Sequence, residues 1–150
     1  MIDDNSIDFL NEYGYLILEL EESEVNKLTE IKELFQNLFL AKFNNNPIRN
    51  RNIIKVFSQS FKIKSFFNSS FFESRLKNIG INMPVSTGPL VTHYTSNDVT
   101  GGGFGLPYHQ DYPSMATSAK GIITWAALDD SNENTHSIEI IPSSHLKGVL

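Results

Sequence analysis

The sequence predicts an α+β fold: a helical N-terminal part, then short strands that roll into a sandwich or jelly roll. Three observations carry this expectation. Apolar residues recur at helical spacing from Val25 to Phe39. After Gly80 the composition changes, with Pro84, Gly88 and Pro89 as punctuation and β-branched residues in the majority. Turn residues such as Asp129-Asp130-Ser131-Asn132 then separate short apolar runs.

The elements follow in order. Ile7–Tyr13 reads as a short helix, capped by Asn5 or Ser6 and ended by Gly14 in the left-handed region. Tyr15–Leu20 has the composition of a buried strand. Ser23 caps a longer helix whose stripe is Val25, Leu28, Ile31, Leu34, Phe35, Leu38 and Phe39. Asn44–Asn52 is polar, contains Pro47 and reads as a loop. Ile53–Phe67 reads as a helix, and Ser69 or Ser70 caps another that stops at Gly80. Strands are expected at Leu90–Thr95, Tyr108–Tyr112, Gly121–Leu128 and Ile138–Ile141, with a glycine-rich lid loop at Ser96–Gly105. Residues 1–150 make a single domain, with 1–80 mainly helical and 81–150 the first strands of the roll.

Composition excludes several classes. The chain has no cysteine, so it has neither a disulfide framework nor a thiolate metal site, which fits a cytoplasmic location. No apolar run reaches the roughly 20 residues of a membrane span, and the acidic N-terminus lacks the pattern of a signal peptide. The net charge of −5 is distributed unevenly. Ten of the seventeen acids lie in the first 33 residues, whereas Ala41–Phe72 contains none and carries Lys42, Arg49, Arg51, Lys55, Lys62 and Lys64. That basic segment is either a solvated helical face or a landing surface for an anionic substrate, carrier or tail. Nucleic acid is not an expected partner of an acidic domain, and the partner expected is a small-molecule substrate.

The chemistry centres on His109-Gln110-Asp111. Side chains two apart on an extended strand share a face, so an imidazole and a carboxylate stand together. They supply two members of a 2-His-1-carboxylate iron(II) site. On the same alternation Gln110 faces the other way and is structural. The alternative is an incidental ion pair on a surface strand. No nucleophile elbow and no phosphate loop surrounds Gly101-Gly102-Gly103.

Four stretches resemble the phytanoyl-CoA dioxygenase family, in family order. Phe9-Leu10-Asn11-Glu12-Tyr13-Gly14-Tyr15-Leu16-Ile17-Leu18 is similar to its opening helix, glycine and strand. Leu106-Pro107-Tyr108-His109-Gln110-Asp111-Tyr112 is similar to its metal-ligand strand. Ile122-Ile123-Thr124-Trp125-Ala126-Ala127-Leu128-Asp129-Asp130 matches the next strand, and Ile140-Ile141-Pro142-Ser143-Ser144-His145-Leu146-Lys147-Gly148 a Pro-Gly-Ser-His turn. Two positions depart from the pattern: Ser143 replaces a glycine, and Asn134-Thr135-His136 stands where Asn-Gly is usual.

The resemblance implies a double-stranded β-helix carrying an iron(II)- and 2-oxoglutarate-dependent dioxygenase. It would hydroxylate a small-molecule or acyl-type substrate, with His109 and Asp111 on the iron and Trp125 walling the cofactor pocket. A core tryptophan on a central strand is the competing reading of Trp125. The family's second histidine ligand and its 2-oxoglutarate arginine lie beyond the Pro-Gly-Ser-His turn. The chain is therefore expected to hold an incomplete roll that associates with itself or with a missing C-terminal half. Lys120 and Lys147 are its basic residues after the motif, and a lysine is a poor substitute for an arginine fork. His136 and His145 read first as turn or surface histidines and only second as candidates for the third ligand, while His93 reads as a structural histidine ahead of a pocket-lining one. Two rival readings stand beside the enzyme: a non-catalytic or truncated dioxygenase-fold fragment, and a cupin-like metal- or carbohydrate-binding jelly roll.

Overall fold

A computed structural model describes residues 4–86, 89–94, 108–111, 121–132 and 137–148. The regular structure in them is helical. Helix α1 spans Asp4–Tyr13 and stops where the sequence places its stop, at Gly14. Gly14 has φ +81°, and its N–H donates to the Leu10 carbonyl at 2.8 Å. Helix α2 spans Glu22–Leu34. Its N-cap is Glu21 rather than Ser23, because the N–H groups of Glu24 and Val25 both donate to the Glu21 carbonyl. Ser23 lies inside the helix, and its hydroxyl donates to the Glu24 carboxylate at 2.6 Å.

The apolar stripe continues past α2 into a π-helical turn, Phe35–Phe39, and a 3-10 turn, Leu40–Lys42. The wider π turn advances the chain by an extra residue and rotates the face that meets the core. Phe35 is consequently buried, while Leu38, a member of the predicted stripe, is 54% exposed.

Helix α3, Pro47–Ser58, replaces the loop expected at Asn44–Asn52. Asn46 caps it, its side-chain oxygen accepting from the Arg49 N–H at 3.1 Å, and Pro47 occupies the first turn, where its missing N–H costs nothing. The buried Asn50 locks the approach: it accepts from the Asn44 N–H at 3.0 Å and donates to the Asn44 carbonyl at 2.6 Å. The single helix expected over Ile53–Phe67 is broken at Gln59–Ser60, and α4 covers Phe61–Phe67. Helix α5, Ser70–Asn78, ends as expected at Gly80. Gly80 has φ +88°, with Gly80 N–H to Lys77 O at 3.0 Å and Ile81 N–H to Leu76 O at 2.9 Å, the paired bonds of a Schellman cap.

These helices enclose an aromatic core of Ile31, Phe35, Phe57, Ile63, Phe66, Phe71 and Phe72. Phe57 stands at its centre, 4.8 Å from Phe35 and 5.2 Å from Phe39 between ring centroids. Residues 89–94 and 121–128 lie over this core without helix or strand. Leu90, Tyr94, Ala126 and Leu128 pack against it. Tyr94 sits 5.1 Å from Phe35 and 5.4 Å from Phe43.

The jelly roll is not seen, and neither is the strand expected at Tyr15–Leu20: among the described residues no β-strand forms. A strand is defined by a ladder to a neighbour in register, and here the covering residues bond instead to the helices. The Gln59 side-chain amide donates to the Leu90 carbonyl at 3.0 Å, and the Ser58 hydroxyl accepts from the Thr92 N–H at 2.9 Å. Lys32 of α2 holds Asp129 at 3.1 Å. The β-branched residues favour an extended backbone, but half-buried sheet positions are what such propensity records. Ile122, Trp125 and Ile140 instead lie about half exposed, at 45%, 53% and 51%. The α+β expectation therefore gives way to a helical body with covering segments. No helix among the described residues is long and apolar enough to cross a membrane.

Candidate metal site

Residues 108–111 form no strand, with bends at Tyr108 and Asp111, yet His109 and Asp111 still stand together. The His109 Nε2 lies 3.2 Å from the Asp111 Oδ1, on the same side of the segment. Both side chains are partly exposed, at 50% and 36%. Tyr108 and Gln110 contact residues further along the chain. The Tyr108 hydroxyl donates to the Glu139 carboxylate. The Gln110 amide donates to the Gly148 carbonyl at 2.9 Å and, more weakly, to the Ser144 carbonyl at 3.4 Å. The hydrogen bond and negative charge of Glu139 hold the Tyr108 phenol above its ordinary 10.0, so it stays a donor. Gln110 is structural, as expected. The role of Glu139 went unread in the sequence, although Tyr108 and Gln110 share the two-residue spacing that singled out His109 and Asp111.

The donor pair can be tested against a metal. Two ligands about 2.1 Å from an octahedral ion and at right angles lie about 3 Å apart. The His109–Asp111 separation of 3.2 Å suits one edge of such a site. An imidazole beside a carboxylate is also the donor chemistry that iron(II) accepts in oxygenases. Among the described residues no group of three histidine, aspartate or glutamate side chains comes together, so no third protein ligand is placed.

The remaining nominated residues go to different places. Trp125 is not a core tryptophan. It stacks on His93 with ring centroids 5.1 Å apart and planes 26° from parallel. The stack joins the two covering segments, one pinned to α3 through Ser58 and Thr92, the other to α2 through Lys32 and Asp129. His145 is held as a turn histidine. Its Nε2 lies 3.0 Å from the Asn11 carbonyl of α1, so that nitrogen carries the proton. Beside it the Ser143 hydroxyl donates to the Glu12 carbonyl at 2.8 Å and the Ser143 N–H to the Tyr13 carbonyl at 2.9 Å. Three carbonyls that α1 would otherwise leave open at its end are thus satisfied by one turn. His136, Lys120 and the Ser96–Gly105 loop lie outside the described residues.

Residues 10–150 match the phytanoyl-CoA dioxygenase family, and the chain belongs to it. Dioxygenases of this family depend in general on iron(II) and 2-oxoglutarate; membership points to that class and specifies no substrate. Neither a curated protein nor a solved structure matches the chain.

Proposed function

We propose that the chain is an iron(II)- and 2-oxoglutarate-dependent dioxygenase that hydroxylates a small-molecule or acyl-type substrate. The observation that carries the reading is the 3.2 Å pairing of His109 with Asp111, inside a chain matched to the family over residues 10–150. When bound, the metal and 2-oxoglutarate supply the oxidising chemistry, which side chains lack. The protein's part is to hold the ion through the His109 imidazole and the Asp111 carboxylate. Tyr108 and Gln110 fix the ligand segment by bonding Glu139, Ser144 and Gly148, so the two donors are oriented from behind. The Trp125–His93 stack offers a flat wall with a polar edge, suited to the planar carboxylates of a keto acid.

Anaerobic titration of iron(II), or manganese(II) as its redox-inert stand-in, tests the assignment. Asp111→Ala and His109→Ala should each weaken binding by about tenfold or more, given that even supporting contacts behind a ligand are worth roughly 10–100-fold. Equal affinity in wild type and Asp111→Ala would remove the assignment. A second reading, a member of the fold that binds metal without turnover, is favoured by the two-donor grouping among the described residues. Succinate release from 2-oxoglutarate separates the two.

A further inference from the structure

The basic segment that the dioxygenase reading leaves unused builds a groove of its own. It lies between the π and 3-10 turns after α2 and the outer face of α3, as an open, shallow trough of about 440 Å³. Phe39, Ile53 and Val56 supply its apolar lining, with Ile48 at one end and Lys42 and Arg49 among its walls. Ile48 and Val56 fall on one i, i+4 row of α3, yet they are 73% and 65% exposed, an odd placement for branched aliphatics on a soluble helix. Lys42 holds its ammonium 5.8 Å from the Phe39 ring centroid, which keeps a cation at the groove edge.

The charged residues that line the groove, Lys42 and Arg49, are both basic. No acidic residue occurs from Ala41 to Phe72. Lys62 of the same segment is paired with Glu30, but Lys42 and Arg49 have no ion pair among the described residues. Two unneutralised cations beside an apolar trough favour a ligand with one anionic end and one hydrocarbon end. The volume sits within the roughly 300–1,000 Å³ of small-molecule sites.

We propose that this groove binds a single-chain amphiphilic anion. Its carboxylate or phosphate head lies between the Lys42 Nζ and the Arg49 guanidinium, and its alkyl chain covers Phe39, Ile53 and Val56. The site uses none of residues 108–111 or 121–148, so it stands or falls apart from the dioxygenase reading.

Calorimetric titration of the full chain with decanoate, below its micelle concentration, tests the site. Decyl phosphate, decanol and inorganic phosphate are run beside it. One-to-one binding of decanoate or decyl phosphate is expected, with the tighter of the two identifying the head group, and weak or no binding of decanol and of phosphate alone. Lys42→Gln and Arg49→Gln should each weaken binding by about three- to tenfold, the scale of a partly exposed charge-assisted contact. Both side chains are exposed, and Asn46 caps α3 through the Arg49 backbone N–H, so the helix survives either change. Arg51→Gln, outside the groove, should change nothing. Decanol binding as tightly as decanoate, an Arg51→Gln effect equal to that of Arg49→Gln, or association only with anionic phosphatidylserine vesicles would each overturn the proposal. The last outcome would assign the face to a membrane surface.

Discussion

Ser143 adopts φ 59°, ψ 12°, a left-handed backbone that glycine reaches freely and other residues enter at a cost. The family pattern has glycine at this point, and the reason for serine is visible. Its hydroxyl donates to the Glu12 carbonyl at 2.8 Å, a bond glycine cannot make. A left-handed residue costs roughly 1–2 kcal/mol and a hydrogen bond returns about 1 kcal/mol, so the two terms nearly cancel. Ser143→Gly is therefore expected to be close to neutral, and Ser143→Ala to lose about 1 kcal/mol, since it keeps the backbone cost and forfeits the bond. Denaturant midpoints of the two variants decide this, and equal losses would show that the left-handed backbone costs nothing here. Gly14 faces the same turn from the other side. It has φ +81°, and a Cβ there would collide with the His145 ring, so Gly14→Ala should cost at least about 1 kcal/mol.

Among the elements, those punctuated by residues with a single conformational meaning were readable in advance. Gly14 and Gly80 end α1 and α5 where expected. Asn46-Pro47 carried the same quality of signal for α3, a cap followed by a first-turn proline, but three consecutive asparagines read more readily as a loop. The π turn at Phe35–Phe39 left no trace in the apolar spacing, because one extra residue per turn is a shift of register and not a change of composition. The covering segments failed for a different reason: β-branched runs specify an extended backbone, whereas a sheet also needs a partner, which short-range pattern does not reveal. The site divides the same way. The two-residue alternation foresaw the pairing of His109 with Asp111, while the attachment of Tyr108 to Glu139 and of His145 to Asn11 depends on contacts distant in sequence. Ser60 and Ser69 stand at the N-caps of α4 and α5, yet neither hydroxyl caps its helix and both are buried without a partner among the described residues. The usual loss of about 1 kcal/mol for removing a capping serine should not appear. Ser60→Ala and Ser69→Ala are each expected within about 0.5 kcal/mol of wild type by thermal melting.

At the scale of the molecule, ion pairs tie the layers together. Glu30 joins α2 to Lys62 of α4 at 2.5 Å, and Asp129 joins its covering segment to Lys32 at 3.1 Å. The Lys62 hydrogen bond holds the Glu30 carboxyl below its ordinary 4.5, and the Lys32 bond, with the Asp130 N–H, holds Asp129 below its ordinary 3.8. Glu24, bonded to Ser23 and Lys27, is lowered likewise. A depressed carboxyl stabilises the fold once the pH exceeds its unfolded value, and that contribution is lost as pH falls through the folded one. Stability should thus be flat near neutrality and decline below the ordinary values of 4.5 and 3.8. Lys62→Gln and Lys32→Gln should flatten that decline in pH-dependent melts. An unchanged acid limb in the double variant would show that these pairs are too solvated to matter.

The turn that closes α1 has a bearing on how the chain is made. The carbonyls of Asn11, Glu12 and Tyr13 are satisfied by Ser143 and His145, residues 130 to 134 positions later. A ribosome adds about 5–20 residues per second, so the first helix emerges on the order of ten seconds before its closing turn exists. During that interval α1 is a ten-residue helix with open carbonyls, too short to hold itself in water. The core of α2 to α5 draws on contacts nearer in sequence and can assemble meanwhile. Helix α1 is accordingly among the last of these elements to become native, although it is synthesised before the rest of them.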